Sequence, residues 1–456
     1  MKIIVVGGGP GGYVAALKAA IMGAETILIE KDRVGGTCLN RGCIPTKAFL
    51  QSVDCLEEVM DAGKFGISCS DIKIDYESVL KRKNQLVMQL VGGVEFLLKK
   101  RGVKTIRGTG KIINGKVVEV TDNDGSVKTV EGDAVILATG SKPVVNNMFK
   151  YDGINVITSD EALDLKKLPE SIIILGGGVI GCEFGQFFKK MGCEVTIIEL
   201  AERLIPMEDA DASELLEKTF KKNGINIMTG IKVEGVETED GKVSVNLSDG
   251  RCLSAEKLLV SIGRRSVTEG IGLESAGIET ENGKIVVDER MQTNIYGCYA
   301  IGDIVNTPAL AHVASREAVV AVENAMGRNS IAKYNAVPRC VYTEPEIACV
   351  GMTEEQVRSK NIAYKTGKFG FAGLGKAMVI DKTNGFVKIM TDESGKIIGA
   401  VMAGPHVTDM VSELTVAVQL GLNAEQLEKV IHPHPTLSEA IMEAVHDIND
   451  ESVHSF

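Results

Sequence analysis

Two cysteines, Cys38 and Cys43, are separated by four residues in the stretch Gly35-Gly-Thr-Cys-Leu-Asn-Arg-Gly-Cys-Ile-Pro-Thr-Lys47. Two thiols that can meet store two electrons as a disulfide. On a regular helix, residues five apart have Cα atoms roughly 8–9 Å apart, whereas a disulfide needs less than about 7 Å. A bonded pair therefore requires a break between them, and Gly42 supplies the loose backbone for it. Pro45 suits the first turn of a helix opening near Cys43. Lys47 then lies one turn on, on the same face. A helix start and a nearby lysine both favour a thiolate. Two unpaired core cysteines would satisfy the same spacing, since free cysteine is among the most buried residue types.

A glycine-rich turn precedes the pair by fewer than thirty residues, and it recurs. The first copy is a strand Ile3-Ile-Val-Val6, the glycines Gly7, Gly9 and Gly12, a helix to Met22, and a strand ending at Glu30. The second is Ile172–Leu175, the glycines Gly176, Gly178 and Gly181, a helix to Met191, and a strand ending at Glu199. Each glycine and the acid reappear 169 residues later. A lone GxGxxG says little, but strand, turn, helix and acid together read as a dinucleotide-binding unit. The glycines let backbone N–H groups approach a pyrophosphate at a helix N-terminus, and Glu30 and Glu199 would accept from ribose hydroxyls. Two such units point to FAD and a nicotinamide nucleotide. Glu199 would repel a 2′-phosphate, which favours NAD over NADP. Arg203, four residues on, weighs slightly against that and otherwise reads as a solvated loop charge.

These elements need a large scaffold, and 456 residues allow three or four domains. The net charge of −11 leaves no nucleic-acid footprint. The other eight cysteines show no metal-ligand spacing, so no metal site is expected, and most read as reduced and packed. A reducing cytoplasm with one catalytic disulfide follows. No signal peptide precedes the first strand, and no apolar run has the eighteen or so residues of a membrane span. Helical patterns cover about 51–62 and 75–100, and dominate after Thr408. Strand-rich stretches lie near 104–130 and 231–258, and strands begin again at 338–341.

With these motifs in hand, the chain resembles the flavin-dependent pyridine nucleotide–disulfide oxidoreductases over essentially its whole length. The resemblance rests on the first glycine turn, Gly-Gly-Thr-Cys38 through Cys43, Ala138-Thr-Gly140, the second glycine turn, Gly263-Arg264, Tyr299-Ala-Ile-Gly-Asp303 and His432-Pro-His-Pro-Thr-Leu-Ser-Glu439. It implies an α/β fold with two Rossmann-like domains and a C-terminal α+β interface domain. The implied boundaries are 1–145 for FAD, 146–265 for NAD, 266–335 for a central domain completing the FAD site, and 336–456 for the interface domain. It also implies a homodimer, because each site takes its base from the other chain.

Within the family the closest likeness is to members that oxidise protein-bound dihydrolipoamide with NAD. That implies a lipoyl-bearing partner, an acyltransferase or a glycine-cleavage carrier. Glutathione and mercuric reductase chemistry, or a redox-inert FAD scaffold, are the alternatives. By resemblance, Cys38 is the interchange thiol and Cys43 the thiol beside the flavin, while Lys47 lies against the isoalloxazine and pairs with Glu183. Gly36, Thr37, Thr139 and Gly140 line the FAD site. Asp303 would bond the ribitol, Ala311 would offer a backbone N–H at the start of a helix beginning near Ala309, and Gly115 would lie near the adenine. Val233 and Gly263 would line the NAD site. His434 is the candidate base and Glu439 orients it, with His432 as rival. A histidine near its ordinary pKa of about 6.5 can take a thiol proton. Thr436-x-x-Glu439 also reads as a capping box, and His434-Pro435 as a cis bond. Arg41 departs from an often apolar position and would add positive charge beside the thiols. Ser266-Val267 replace the usual Pro-Asn at the exit from the second unit.

Overall fold

A computed structural model describes residues 1–454. Its first sheet has seven strands in the spatial order Cys298–Ala300, Ala134–Leu137, Lys2–Val6, Glu25–Glu30, Lys104–Asn114, Val117–Asp122 and Val127–Glu131. The first five run parallel and the last two turn back antiparallel. Ile3, Ile4, Val5 and Val6 are all buried, as a parallel strand covered on both faces must be. That explains the continuous apolar run which the sequence shows there.

The architecture then repeats. A five-stranded parallel sheet is ordered Asn226–Met228, Glu194–Ile198, Ser171–Leu175, Lys257–Val260 and Val156–Ile157. An antiparallel meander of Val233–Glu239, Lys242–Leu247 and Cys252–Ala255 accompanies it. The chain enters this unit along Ser141–Pro143 and leaves along Arg264–Ser266, and these two strands pair antiparallel. Ser266 and Val267 hold the exit without the usual proline: Val267 N donates to Gly140 O at 2.8 Å, and Ser266 Oγ to Asp303 O at 2.5 Å.

The third sheet is antiparallel, ordered Arg339–Val341, Glu346–Gly351, Ile397–Gly404, Phe386–Asp392 and Tyr364–Gly370. The helices Val407–Leu420 and Glu439–Asp447 pack on it through Val411, Leu414, Ile441 and Ala444. The helices expected at 51–62 and 75–100 are observed as Cys43–Asp61 and Tyr76–Lys100.

Candidate functional site: a thiol pair between two nucleotide turns

The helix Gly36–Arg41 stops at Gly42, whose φ of −149° and ψ of −115° are not helical, and a second helix runs Cys43–Asp61. A Cβ on Gly42 would lie 2.9 Å from the carbonyl oxygen of Thr37. Only glycine fits this break, so the sequence carries its own interruption between the two thiols. Pro45 occupies the first turn of the new helix, and Thr46 closes it through its N–H to Gly42 O at 3.1 Å. The expected disulfide is not closed: both cysteines are free thiols in hydrogen-bonding contact with one another. The Cys38 thiol's hydrogen bond brings Cys43 down to about 7. Desolvation by nearby protein atoms opposes this although Cys43 reaches the surface, and the Lys47 ammonium reinforces the lowering. The same bond, together with burial, pushes Cys38 up.

Lys47 Nζ reaches both carboxylate oxygens of Glu183, each at 2.8 Å. Glu183 lies on the second nucleotide helix, Val179–Lys190, and is 3 % exposed. The two helices are pressed together by stacked rings, Phe49 on Phe187, with centroids 4.5 Å apart. Two partners of this junction escaped the sequence reading. Tyr342 N donates to Glu183 Oε1 at 3.1 Å, and Glu344 N donates to Gln186 Oε1 at 2.6 Å. Gln186 stands three residues after Glu183, so helical spacing was the only signal available for it.

Both nucleotide turns are built alike. Gly7 and Gly176 have φ of 101° and 109°, conformations natural only to glycine. Side chains there would strike Ala138 O at 2.3 Å and Ser261 O at 2.5 Å. Gly12 and Gly181 are more confined still, because a Cβ would sit 1.7 and 1.9 Å from the carbonyl oxygens of Gly7 and Gly176. The helices that open after Gly9 and Gly178 have no side-chain cap, which leaves their first N–H groups free for an anionic group. Glu30 accepts from Gly8 N at 2.5 Å and Asp32 N at 2.7 Å. Glu199 accepts from Gly177 N at 2.6 Å and Ala201 N at 2.8 Å. Each carboxylate is fixed by its own turn and keeps lone pairs for ribose hydroxyls. A cavity of about 510 Å³ opens beside Glu30, lined also by Asp32, Val34, Lys99 and Arg107. These residues fit two dinucleotides.

Between the turns, Asp303 accepts a short hydrogen bond from Ser141 Oγ. Arg264 donates from Nε to Ser141 Oγ and from Nη2 to Ser141 O, each at 2.8 Å, and Nη2 also reaches Thr37 Oγ1 at 3.4 Å. Thr139 Oγ1 donates to Val267 O at 2.6 Å. Thus Thr37, Asp303 and Arg264 come together around Ser141, the residue after Gly140, which the sequence reading missed. Ala311 opens the helix Ala311–Ala325, two residues later than expected and without a side-chain cap. The buried Glu317 of that helix accepts from Gly302 N at 2.7 Å and from Tyr334 at 2.9 Å. It fixes the turn bearing Asp303 and was also missed. Gly36, with φ of 54°, packs its Cα against Gly9, where a Cβ would lie at 2.6 Å. Gly115 is wedged under Ile295 and Tyr296. Val233 turns its side chain into the core, and Gly263, with φ of 126°, borders open space.

His434 Nδ1 lies 2.8 Å from Glu439 Oε1, and the His434–Pro435 bond is cis, as expected. Partial burial would raise the Glu439 carboxyl, but the Thr436 amide and the His434 ring outweigh it and hold it below the usual range. The capping box is only half formed: Thr436 N donates to Glu439 Oε2 at 2.8 Å, while the Thr436 hydroxyl turns away to Pro433 O. The helix begins only at Glu439, too late for Thr436 to cap it. His432 is the buried member of the pair, with Nε2 2.9 Å from Glu413 Oε1 and Nδ1 3.1 Å from Val430 O.

Two arginine expectations need correction. Arg41 does not act on the thiols, because it pairs with Asp32 and lies 4.0 Å from Asp160. Arg203 is not a solvated loop charge: it meets Glu355 at 2.6 Å and donates to Glu208 O at 3.1 Å. These contacts hold it away from duty as a 2′-phosphate ligand.

Residues 1–318 match the pyridine nucleotide-disulphide oxidoreductase family, and residues 337–445 match its dimerisation domain. A dihydrolipoyl dehydrogenase of Bacillus subtilis is 42% identical over 99% of this chain and 98% of its own. The mitochondrial dihydrolipoyl dehydrogenase of Dictyostelium discoideum is 38% identical over 99% and 95%. The solved structure of LpdA from Mycobacterium tuberculosis superposes with a TM-score of 0.92 at 30% identity, covering 98% of this chain and 99% of that one. With matches of this extent, the chain belongs to the pyridine nucleotide-disulphide oxidoreductase family.

Proposed function

We propose that this chain is a dihydrolipoyl dehydrogenase, which oxidises a dihydrolipoyl group borne on a partner protein and reduces NAD, acting as a homodimer. One observation carries the reading: two free thiols touch across a glycine break, and the second opens a helix whose Lys47 is held by Glu183 of the other nucleotide unit. When bound, FAD supplies the two-electron relay between these thiols and NAD.

The chain's own residues then have these tasks. In the oxidised enzyme Cys38 and Cys43 share a disulfide. The partner subunit's His434 takes a proton from one substrate thiol, and the resulting thiolate attacks Cys38. The Cys38–Cys43 bond breaks, and Cys43 leaves as a thiolate, stabilised by Cys38, the helix start and Lys47. The second substrate sulfur attacks the first and yields its proton, by way of the histidine, to the departing Cys38 sulfur. The oxidised lipoyl group departs and Cys38 is freed. Glu439 keeps the histidine ring in register and stabilises its charged form, as an oriented acid–base dyad requires. Glu30 and the first glycine turn hold FAD, aided by Gly36, Thr37, Gly115, Thr139, Gly140, Asp303 and Ala311. Glu199, the second turn and, through their main chains, Val233 and Gly263 hold NAD.

The lipoyl carrier is an acyltransferase or a glycine-cleavage carrier protein, and the setting is the cytoplasm; among the described residues no helix is long and apolar enough to cross a membrane. Anaerobic addition of dihydrolipoamide to the FAD-loaded enzyme tests the activity. A changed flavin spectrum followed by NADH formation is expected. An unchanged spectrum overturns the proposal and leaves the scaffold reading. Pull-downs with separate lipoylated carriers identify the partner.

A further inference from the structure

The Lys47–Glu183 pair joins the thiol helix to the second nucleotide unit, but a third segment grips both of its members. Tyr342 follows the strand Arg339–Val341 of the third sheet. Its main-chain N–H donates to Glu183 Oε1 at 3.1 Å. Its ring lies under the Lys47 ammonium, 4.4 Å from Nζ to the ring centroid. One residue therefore meets the carboxylate with its backbone and the cation with its side chain.

We propose that Tyr342 is a positioning residue, which holds the Lys47–Glu183 pair from both sides and through Lys47 governs the reactivity of Cys43. Lysine has three rotatable donors on a flexible stem. Two carboxylate oxygens at 2.8 Å fix its distance from Glu183 but not its tilt. An aromatic face beneath it limits that tilt and so holds the charge at a fixed distance from its neighbours. Cys43 faces Cys38 from the preceding helix, Lys47 from its own, Glu183 from the second nucleotide helix and Tyr342 from the third sheet. Cys340, two residues before Tyr342, also senses Lys47. Of these groups only Lys47 is cationic, so its placement sets how much is added to the lowering that the Cys38 hydrogen bond supplies. The inference rests on the reading of Cys43 as the acidic thiol of the pair.

The test is alkylation of the dithiol-reduced, FAD-loaded dimer by iodoacetamide, followed cysteine by cysteine by mass spectrometry across about pH 5–9. Tyr342→Leu keeps the main-chain amide and removes the ring. It should move the Cys43 profile upward by about half a pH unit, the size expected of a lost cation–π contact. Tyr342→Phe keeps the ring and should restore the wild-type profile. In a Lys47→Met background, Tyr342→Leu should add no further shift. Should the leucine variant fail to bind FAD, Tyr342→Met replaces it. A profile unmoved by loss of the ring, or a phenylalanine variant displaced as far as leucine, overturns the inference. If Lys47→Met itself leaves the profile in place, it is the underlying reading of Cys43 and Lys47 that fails.

Discussion

His432 and His434 stand two residues apart in opposite circumstances. The side chain of His432 is 3% exposed with both ring nitrogens engaged, whereas that of His434 is 79% exposed with Nδ1 on Glu439 and Nε2 open. A base needs a free nitrogen, and a strut needs none. His434→Gln should therefore lower turnover about 10²–10⁴-fold, the range for a lost acid–base group. His432→Ala should act first on stability. It strips Glu413 and the Val430 carbonyl of their partner, at a cost of about 1–3 kcal/mol. Steady-state kinetics and thermal melts of both variants separate the roles, and a larger kinetic loss from His432→Ala would reverse them.

Cys38→Ser should abolish oxidation of dihydrolipoamide while the protein stays yellow and its flavin remains reducible by NADH. Serine preserves the packing but cannot exchange with a disulfide. Appreciable lipoamide turnover in this variant would contradict the assignment of Cys38 as the attacked sulfur.

Lys388 on the third sheet donates to Asp209 at 2.7 Å, Glu354 at 2.9 Å and Asp211 at 3.2 Å, and Asp209 is 1% exposed. Burial disfavours the ammonium, yet the three carboxylates outweigh it and hold its pKa above the usual range. Lys388→Met leaves Asp209 buried without its cation, so a loss of about 3–5 kcal/mol is expected. Lys368→Ala, which removes a half-exposed partner of Asp211, should cost under about 1 kcal/mol. Urea titrations of the two variants should differ accordingly.

Asp54 sits on the thiol helix beyond Lys47. Burial pushes its carboxyl up to about 6; Lys382 opposes the rise, and Glu344, Glu346 and Glu58 add to it. The folded chain thus binds this proton more tightly than the unfolded chain, whose carboxyl titrates near 3.9. Its contribution to stability falls as pH rises from about 4 to about 6. Asp54→Asn removes that loss, so the variant should be more stable than wild type by about 1–2 kcal/mol at neutral pH, and equal to it near pH 4. Equal melting temperatures at pH 7 would refute the prediction.

Much of this site was legible in the sequence because its parts are local. The glycines at 7 and 12 and the break at Gly42 answer to backbone clashes within a few residues of themselves or with the neighbouring strand end. The repeated acid at Glu30 and Glu199 is read by its own turn. Lys47–Glu183 spans 136 residues, and it was legible only because both ends lie in recognisable motifs. Tyr342, Gln186, Ser141 and Glu413 lie outside such patterns and act through contacts that the fold alone creates. The corrections share a cause as well. Arg41 and Arg203 read as free charges because only the fold turns Asp32 and Glu355 towards them.

The paired strands Ser141–Pro143 and Arg264–Ser266 have a consequence for engineering and descent. Everything between them leaves and rejoins the molecule through neighbouring doorposts, as insertions that host folds tolerate commonly do. A foreign nucleotide-binding cassette with adjacent ends can be spliced there without stretching the host. Its acceptance would then turn on whether the newcomer carries an acid where Glu183 greets the thiol helix.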